Sequence, residues 1–253
     1  MEREPTPCDI VAFAAHPDDA EMTCGGTLAL SARRGWRAGV VDFTRGELAT
    51  LGTPKTREEE AVEASRILGL SCRLNLGLPD GSLRDGDDVR REVVRLIRIL
   101  RPRVIIAPPL LDHHPDHMAV GEILERSVYL SGVARYAPGE PPWRPRALLQ
   151  HTNLYRVSPA LVVDITEVYD LRRRAIACYA SQLRRKDPSE PATRISHPAF
   201  LAALEGTCRH YGSLVGAEYG EGFLSGVPIP VQDLVALFGA EPWRHPENGE
   251  VDA

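Results

Sequence analysis

The chain has 253 residues, 43% of them hydrophobic, which suits one large α/β domain with a sizeable core. Its formal net charge of -5 excludes a diffuse basic surface, so we expect no nucleic-acid partner. Because no apolar run reaches the roughly 18 residues of a membrane span, and no signal peptide is evident, we expect a cytoplasmic protein without a membrane partner. The 5 cysteines include no C-x-x-C pair, which argues against a disulfide framework or a cysteine zinc site.

Strand-like apolar runs alternate with helical patterns in the first half of the chain, which indicates βαβ units. The predicted strands are Cys8–Ala15, Arg37–Thr44, Ser71–Leu76 and Arg103–Ala107. One predicted helix begins near Thr56 with a capping box formed by Thr56 and Glu59, and another covers Asp87–Leu100. The fold prediction is therefore α/β, with a Rossmann-like, mainly parallel sheet flanked by helices.

The pattern after Gly132 is less regular, although strands and helices continue. The predicted elements are the strands Ala147–Tyr155 and Leu161–Ile165 and the helices Thr166–Gln182 and His197–Tyr211. The charged, proline-containing segment Arg184–Ser196 is a candidate lid or oligomer contact. We expect a single domain over residues 1–253, in which residues 1–132 form the Rossmann-like core with both metal motifs and residues 133–253 complete the pocket.

Two clusters of histidine and aspartate follow predicted strands. The first is His16-Pro17-Asp18-Asp19, and the second is Asp112-His113-His114-Pro115-Asp116-His117. Ligands of open α/β sheets bind at the carboxyl ends of the strands, so the clusters can meet there. The first turn lacks the G-x-G-x-x-G of a dinucleotide-binding fold, and its carboxylates would repel a pyrophosphate.

Imidazole and carboxylate are the ligand types of catalytic zinc, which takes three protein ligands and keeps one position open. His16 and Asp19 lie three residues apart across a turn, and His117 is the natural third ligand. Asp18 remains free to act as a general base, as hydrolysis requires. His114 is left to face the substrate, with Asp116 able to hold its second ring nitrogen.

These motifs resemble those of the PIG-L/LmbE-like zinc-dependent N-acetylglucosamine deacetylases. The resemblance rests on His16-Pro17-Asp18-Asp19-Ala20-Glu21, on Cys24-Gly25-Gly26-Thr27 and on His114-Pro115-Asp116-His117. Three further stretches resemble the bacillithiol-biosynthesis branch, which acts on N-acetylglucosaminyl malate: Thr44-Arg45-Gly46-Glu47-Leu48 with Gly52-Thr53-Pro54, Asn75-Leu76-Gly77-Leu78-Pro79-Asp80-Gly81, and Glu218-Tyr219-Gly220-Glu221-Gly222-Phe223.

The resemblance implies a PIG-L/LmbE-like fold and a zinc-dependent deacetylase, with one zinc ion per chain. His16, Asp19 and His117 are then the zinc ligands, and Asp18 is the general base. The pair His114 and Asp116 stabilises the oxyanion and delivers a proton to the leaving amine. The expected substrate-binding residues are Arg57, which suits a malate carboxylate, Tyr219, which can add a hydroxyl to the oxyanion hole, and His113, which stands where close relatives often have arginine.

Other functions fit the same residues. The amine can belong to another 2-acetamido sugar or a thiol conjugate, and Fe²⁺ or another divalent ion can replace zinc because affinity alone does not select the metal. A metal-dependent phosphoesterase is a further alternative, although it is expected to need two metals and more carboxylates. A non-catalytic metal-binding module would not require Asp18. The expected partner is a small N-acetylated amino sugar, and family resemblance favours a homo-oligomer, a trimer or hexamer.

Overall fold

The computed structural model describes residues 6–152, 157–185, 187 and 189–233. Its strands are β1 (Ile10–Ala14), β2 (Ala38–Asp42), β3 (Cys72–Asn75), β4 (Val104–Ala107), β5 (Ala147–His151), β6 (Leu161–Asp164) and β7 (Gly220–Ser225). Its α-helices are α1 (Asp19–Arg33), α2 (Pro54–Leu68), α3 (Asp87–Leu100), α4 (Pro115–Ser131), α5 (Tyr169–Cys178), α6 (Ala180–Leu183) and α7 (Ala199–Ser213). A 3₁₀ turn over Thr166–Val168 precedes α5.

The strands form one seven-stranded sheet in the order β3-β2-β1-β4-β5-β7-β6. The pairs from β3 to β5 are parallel, whereas β7 runs antiparallel to both of its neighbours. This arrangement confirms the predicted mainly parallel, Rossmann-like sheet. Because β1 and β4 are adjacent and parallel, their carboxyl ends lie side by side.

Helices cover both faces of the sheet, as the alternation along β1 shows. Val11 and Phe13 pack with the apolar residues of α3 and α4, while Ile10 and Ala12 pack with α1. The helices α2 and α5 contact α1 on its outer side. Since both faces are covered, β1 and β2 are buried along their whole length, as parallel strands usually are. No helix within the described part of the chain is long and apolar enough to cross a membrane.

Three details differ from the sequence-based expectations. The predicted helix Thr166–Gln182 is divided into the 3₁₀ turn, α5 and α6, with a break at Tyr179. The cap of α2 is Thr53, whose hydroxyl accepts from the Thr56 amide, and Pro54 occupies the first turn, where its missing N–H is not needed. The strand β7 was not predicted, because glycine has low strand propensity. Glycine is required at Gly222, where a Cβ would lie 2.7 Å from the Thr152 hydroxyl. The predicted continuation of β5 to Tyr155 lies partly outside the described residues.

Candidate active site

The two His/Asp clusters meet at the carboxyl end of the sheet, in a cavity of about 390 Å³. The first cluster forms the turn from β1 into α1, and the second leads from β4 into α4. His114 caps α4 by accepting the Asp116 amide on Nδ1, and Pro115 occupies the first turn of that helix. This cap places His117 in the first turn of α4, facing the cavity.

Among the three predicted metal ligands, the Asp19 carboxylate contacts both histidines. Asp19 Oδ2 is 3.2 Å from His16 Nδ1 and 3.2 Å from His117 Nε2. His114 adds a third imidazole, and ligand nitrogens of the three histidines lie within 4.8 Å of one another. The tertiary structure therefore brings together residues that are separated by about a hundred positions in the sequence.

Carboxylates also face the outer nitrogens of two of these histidines. Asp80 Oδ1 lies 3.1 Å from His16 Nε2, and Asp112 Oδ2 lies 3.3 Å from His117 Nδ1. A carboxylate beside the outer nitrogen fixes the proton there, which leaves the inner nitrogen as a lone pair. The inner atoms are thus two imidazole lone pairs and one carboxylate, a donor set that fits Zn²⁺ or a similar divalent ion.

The electrostatics of the cluster favour a cation. Burial lowers the pKa of His16, but hydrogen bonds to Asp116, Asp19 and Asp80 outweigh it and raise the pKa to about 12. Burial likewise lowers the pKa of His117, and the charge of Asp19 with the nearby Asp112 carboxylate raises it to about 10. Imidazoles that hold protons so tightly report a strongly negative site. A divalent cation can satisfy the same carboxylates by displacing those protons.

A second group of possible metal ligands consists of His16, Asp80 and Asp116. Backbone amides already use its carboxylates: Asp80 accepts from Leu48 N, and Asp116 accepts from Gly81 N and Leu83 N. These bonds, together with the His16 contacts, suit carboxylates that orient a ligand rather than bind a second metal.

Asp18 lies beside the predicted ligands and is almost fully buried. It occupies the N-cap position of α1 without a side-chain capping bond, and its φ of 116° is an unfavourable conformation for a residue with a Cβ and one often found at functional sites. Burial raises the pKa of Asp18 to about 7, against the opposing charge of Arg57. A carboxylate with a pKa near neutrality suits a general base.

Arg57 occupies a different place from the one expected. Its Nη2 lies 2.8 Å from Asp18 Oδ2, and the same nitrogen donates to the Pro17 carbonyl. Only 4% of the residue is exposed, although it reaches the cavity wall. Since the guanidinium is engaged with the carboxylate of the predicted base, its contacts in the structure fit a residue that positions Asp18. Its predicted contact with a substrate carboxylate stays a prediction.

The predicted pairing of His114 with the Asp116 carboxylate is also corrected. Asp116 directs its carboxylate towards backbone amides and His16, and it contributes only its own N–H to His114 Nδ1. Because Nδ1 accepts a hydrogen bond, the neutral imidazole carries its proton on Nε2. Burial and the charges of His16 and His117 lower the pKa of His114, which favours this neutral form.

The structure places the two remaining substrate-binding candidates differently. His113 lines the cavity, with Nδ1 2.8 Å from Asp112 Oδ1. Tyr219 does not line it: its ring stacks on Tyr169 with a centroid separation of 3.6 Å, and its hydroxyl accepts from Arg209. The structure therefore gives no geometric support to an oxyanion-hole role for Tyr219.

Sequence reasoning gave no role to several residues of the site. Asp80 and Asp112 were part of recognised motifs, but the sequence does not show which nitrogens they face. Arg194, from the segment before α7, lines the cavity, as do the apolar side chains of Met22, Ile195, Phe200 and Leu204. No local pattern signals them, because their partners are distant in sequence.

Glu221 holds the helix that carries Asp19. Helix α1 is broken at Cys24, which has φ -143° and ψ 16°. The Glu221 carboxylate accepts from the amides of Gly26 and Thr27 just after the break, and it lies 3.0 Å from Arg172 Nε. Cys24 itself is buried, and burial raises the pKa of its thiol well above the usual value, so it is unsuited to a nucleophilic thiolate.

Fold and site together define a Rossmann-like α/β protein with a His/Asp centre at the carboxyl end of its sheet. The profile of the family described as PIG-L, GlcNAc-PI de-N-acetylase, matches residues 11–128. A 1D-myo-inositol 2-acetamido-2-deoxy-alpha-D-glucopyranoside deacetylase 2 of Saccharopolyspora erythraea is 30% identical over 264 residues, with 82% of this chain and 93% of the relative covered. The chain belongs to the PIG-L family.

Two further relatives differ in the activity that their names state. A Bacillus cereus protein named as a probable N-acetyl-alpha-D-glucosaminyl L-malate deacetylase 2 is 28% identical over 190 residues, covering 68% of this chain and 83% of the relative. The 4-oxalmesaconate hydratase of Pseudomonas putida is 26% identical over 203 residues, covering 68% and 73%.

Solved structures show the same fold. The conserved protein TT1542 from Thermus thermophilus is 37% identical with a TM-score of 0.81, covering 88% of this chain and 97% of that chain. The N,N'-diacetylchitobiose deacetylase from Pyrococcus horikoshii is 25% identical with a TM-score of 0.74, covering 89% and 88%. These comparisons confirm the predicted family and the enzyme class, an N-deacetylase.

Proposed function

We propose that this chain is a zinc-dependent hydrolase that removes the N-acetyl group from an N-acetylglucosaminyl conjugate, with N-acetylglucosaminyl malate of bacillithiol biosynthesis as the substrate. The observation that carries the proposal is the buried Asp18 carboxylate, which has a pKa near 7 and lies next to the ligand set His16, Asp19 and His117. A buried carboxylate in addition to a complete ligand set serves hydrolysis and has no use in a purely structural metal site.

Zinc in this site would supply a Lewis acid that polarises the amide carbonyl and makes water more acidic. Asp18 takes a proton from the attacking water, while Arg57 keeps the carboxylate oriented and ionised. His114 lines the cavity, and since its Nδ1 accepts from a backbone amide, its Nε2–H is the donor that serves the developing oxyanion. The new C–O bond forms, the C–N bond breaks, and the proton held by Asp18 passes to the leaving amine, which gives acetate and a free amino sugar.

The choice of malate as aglycone rests on the resemblance of three motifs and on the Bacillus cereus relative. We also propose that the enzyme works in the cytoplasm and assembles as a homo-oligomer, a trimer or hexamer, with residues 1–253 as one domain.

The test is to load purified protein with zinc and to incubate it with N-acetylglucosaminyl malate and with N-acetylglucosamine. Free amine and acetate should appear in equal amounts, faster from the malate conjugate. The same preparation should be given 4-oxalmesaconate and p-nitrophenyl phosphate. Consumption of either one without amine release from any acetylated sugar would overturn the proposal in favour of a hydratase or a phosphoesterase.

A further inference from the structure

Arg194 stands at the mouth of the cavity, with its guanidinium held by a chain of polar contacts. Its Nη1 lies 3.0 Å from His113 Nε2, and His113 Nδ1 lies 2.8 Å from Asp112 Oδ1. A guanidinium can only donate, so His113 Nε2 accepts the hydrogen bond from Arg194, while Nδ1 is the ring nitrogen that faces the Asp112 carboxylate. His113 thus fixes the direction of an otherwise exposed arginine.

Arg194 differs from Arg57, the other arginine of the cavity wall, in having no carboxylate partner among the described residues. Arg57 is buried and forms an ion pair with Asp18. Arg194 is exposed, its hydrogen bond goes to an imidazole nitrogen, and none of the ion pairs found among the described residues includes it. A guanidinium has five N–H donors, so most of them remain available to a ligand.

We propose that Arg194, oriented by His113, is the residue that recognises an anionic aglycone, and that it selects N-acetylated amino sugars bearing a carboxylate next to the glycosidic bond. This inference rests on the proposed deacetylase function. The planar fork of arginine matches a carboxylate in a bidentate manner, which lysine cannot reproduce. The metal ligands and Asp18, at the inner end of the cavity, act on the amide. Arg194 binds the aglycone at the other end of the substrate.

Kinetics with paired substrates test the assignment. Zinc-loaded wild type, Arg194→Ala, Arg194→Lys and the control Arg184→Ala are compared on N-acetylglucosaminyl malate and on the uncharged methyl glycoside of N-acetylglucosamine. Arg184 is an exposed arginine of the same segment that does not line the cavity.

We expect Arg194→Ala to lose about ten- to a hundredfold in kcat/KM on the malate conjugate, as for loss of a charge-assisted contact, and to change little on the methyl glycoside. Arg194→Lys should recover part of the loss, and Arg184→Ala should behave as wild type. His113→Ala should show a smaller loss, again confined to the malate conjugate, because the guanidinium remains but loses its orientation.

Equal losses on both substrates, or no loss on either, would overturn the inference. Calorimetric titration of the same proteins with L-malate separates it from the proposed function. Weaker malate binding by Arg194→Ala than by Arg184→Ala supports the anion site even if no sugar is deacetylated, whereas equal binding contradicts it even if the enzyme is an active deacetylase.

Discussion

The inner end and the mouth of the cavity are built in opposite ways. At the inner end, His16, Asp18 and Asp116 are buried, and each is tied to neighbouring carboxylates, an arginine or backbone amides. At the mouth, His113 and Arg194 are exposed, and one hydrogen bond joins them.

The difference separates two tasks. Groups that react with the amide must be held before the substrate arrives, so they sit in the turns that leave two adjacent strands of a rigid sheet. Groups that recognise the rest of the substrate can come from a loop, where a change of residue leaves the chemistry intact. Variants of the inner end should therefore remove metal or turnover, and variants of the mouth should change selectivity.

The largest effect is expected from the metal ligands. His16→Ala, Asp19→Ala or His117→Ala each removes one of three protein ligands, so zinc content and activity should fall together to near the detection limit. Elemental analysis after dialysis and amine release measure both. His210→Ala, at an exposed position of α7, is the control and should retain metal. A full zinc equivalent in all three variants would show that the metal binds elsewhere.

Asp18→Asn should separate chemistry from metal binding. The amide cannot take a proton, so turnover should fall by about 10²–10⁴-fold while zinc content stays near that of the wild type. Steady-state kinetics together with metal analysis check this. Near-normal turnover would remove Asp18 from the role of base.

Zinc affinity should depend steeply on pH. In the metal-free protein His16 and His117 have pKa values raised to about 12 and about 10, so both are protonated below about pH 10 and zinc must displace both protons. The apparent affinity should therefore rise about a hundredfold per pH unit between about pH 6 and 8. Calorimetry in buffers of different ionisation enthalpy gives the number of protons released per zinc bound. A number near zero would mean that both imidazoles are already neutral.

The same pKa values have a consequence for folding. Because the folded pKa values lie above the unfolded value of about 6.5, the protonated pair stabilises the metal-free protein fully below about pH 6.5, and this stabilisation is lost as the pH rises through the folded values.

Asp112→Asn tests the carboxylate that joins the two ends of the cavity. Losing the partner of His117 Nδ1 should cost about 10–100-fold in zinc affinity or activity. Asp87→Asn, an exposed carboxylate at the start of α3, serves as the control. An unchanged zinc affinity in a chelator competition would show that His117 needs no carboxylate to bind metal.

The smallest effect is expected at Arg57, and it should appear as a shift in pH dependence. The positive charge of Arg57 opposes the rise in the Asp18 pKa, so Arg57→Ala should raise that pKa further and move the acid limb of kcat/KM upwards by about one pH unit or more. Arg57→Lys should restore part of the profile. If Arg57→Ala instead weakened the malate conjugate alone with an unchanged profile, the original expectation of a substrate-binding arginine would stand.

The sequence could predict the contiguous parts of the molecule. Alternating strand and helix patterns indicated the parallel sheet, and the two clusters at strand ends predicted the ligands that the structure brings together. Both signals are local, since hydrophobic periodicity and the position of polar residues after a strand depend on neighbouring residues. The strand β7 was missed because its glycines have low strand propensity, and the close contacts that require them are with residues distant in sequence.

Only the tertiary structure decided how the side chains pair. The sequence suggested Arg57 as a substrate ligand, but the folded chain pairs it with Asp18. Asp116, the expected partner of His114, instead faces backbone amides and His16. Tyr219, expected in the pocket, contacts Tyr169 and Arg209. It also brings Arg194 to His113 across 81 positions of the chain. The sequence gives the chemical type of each residue, but the residue's partner depends on how elements that are remote along the chain pack together.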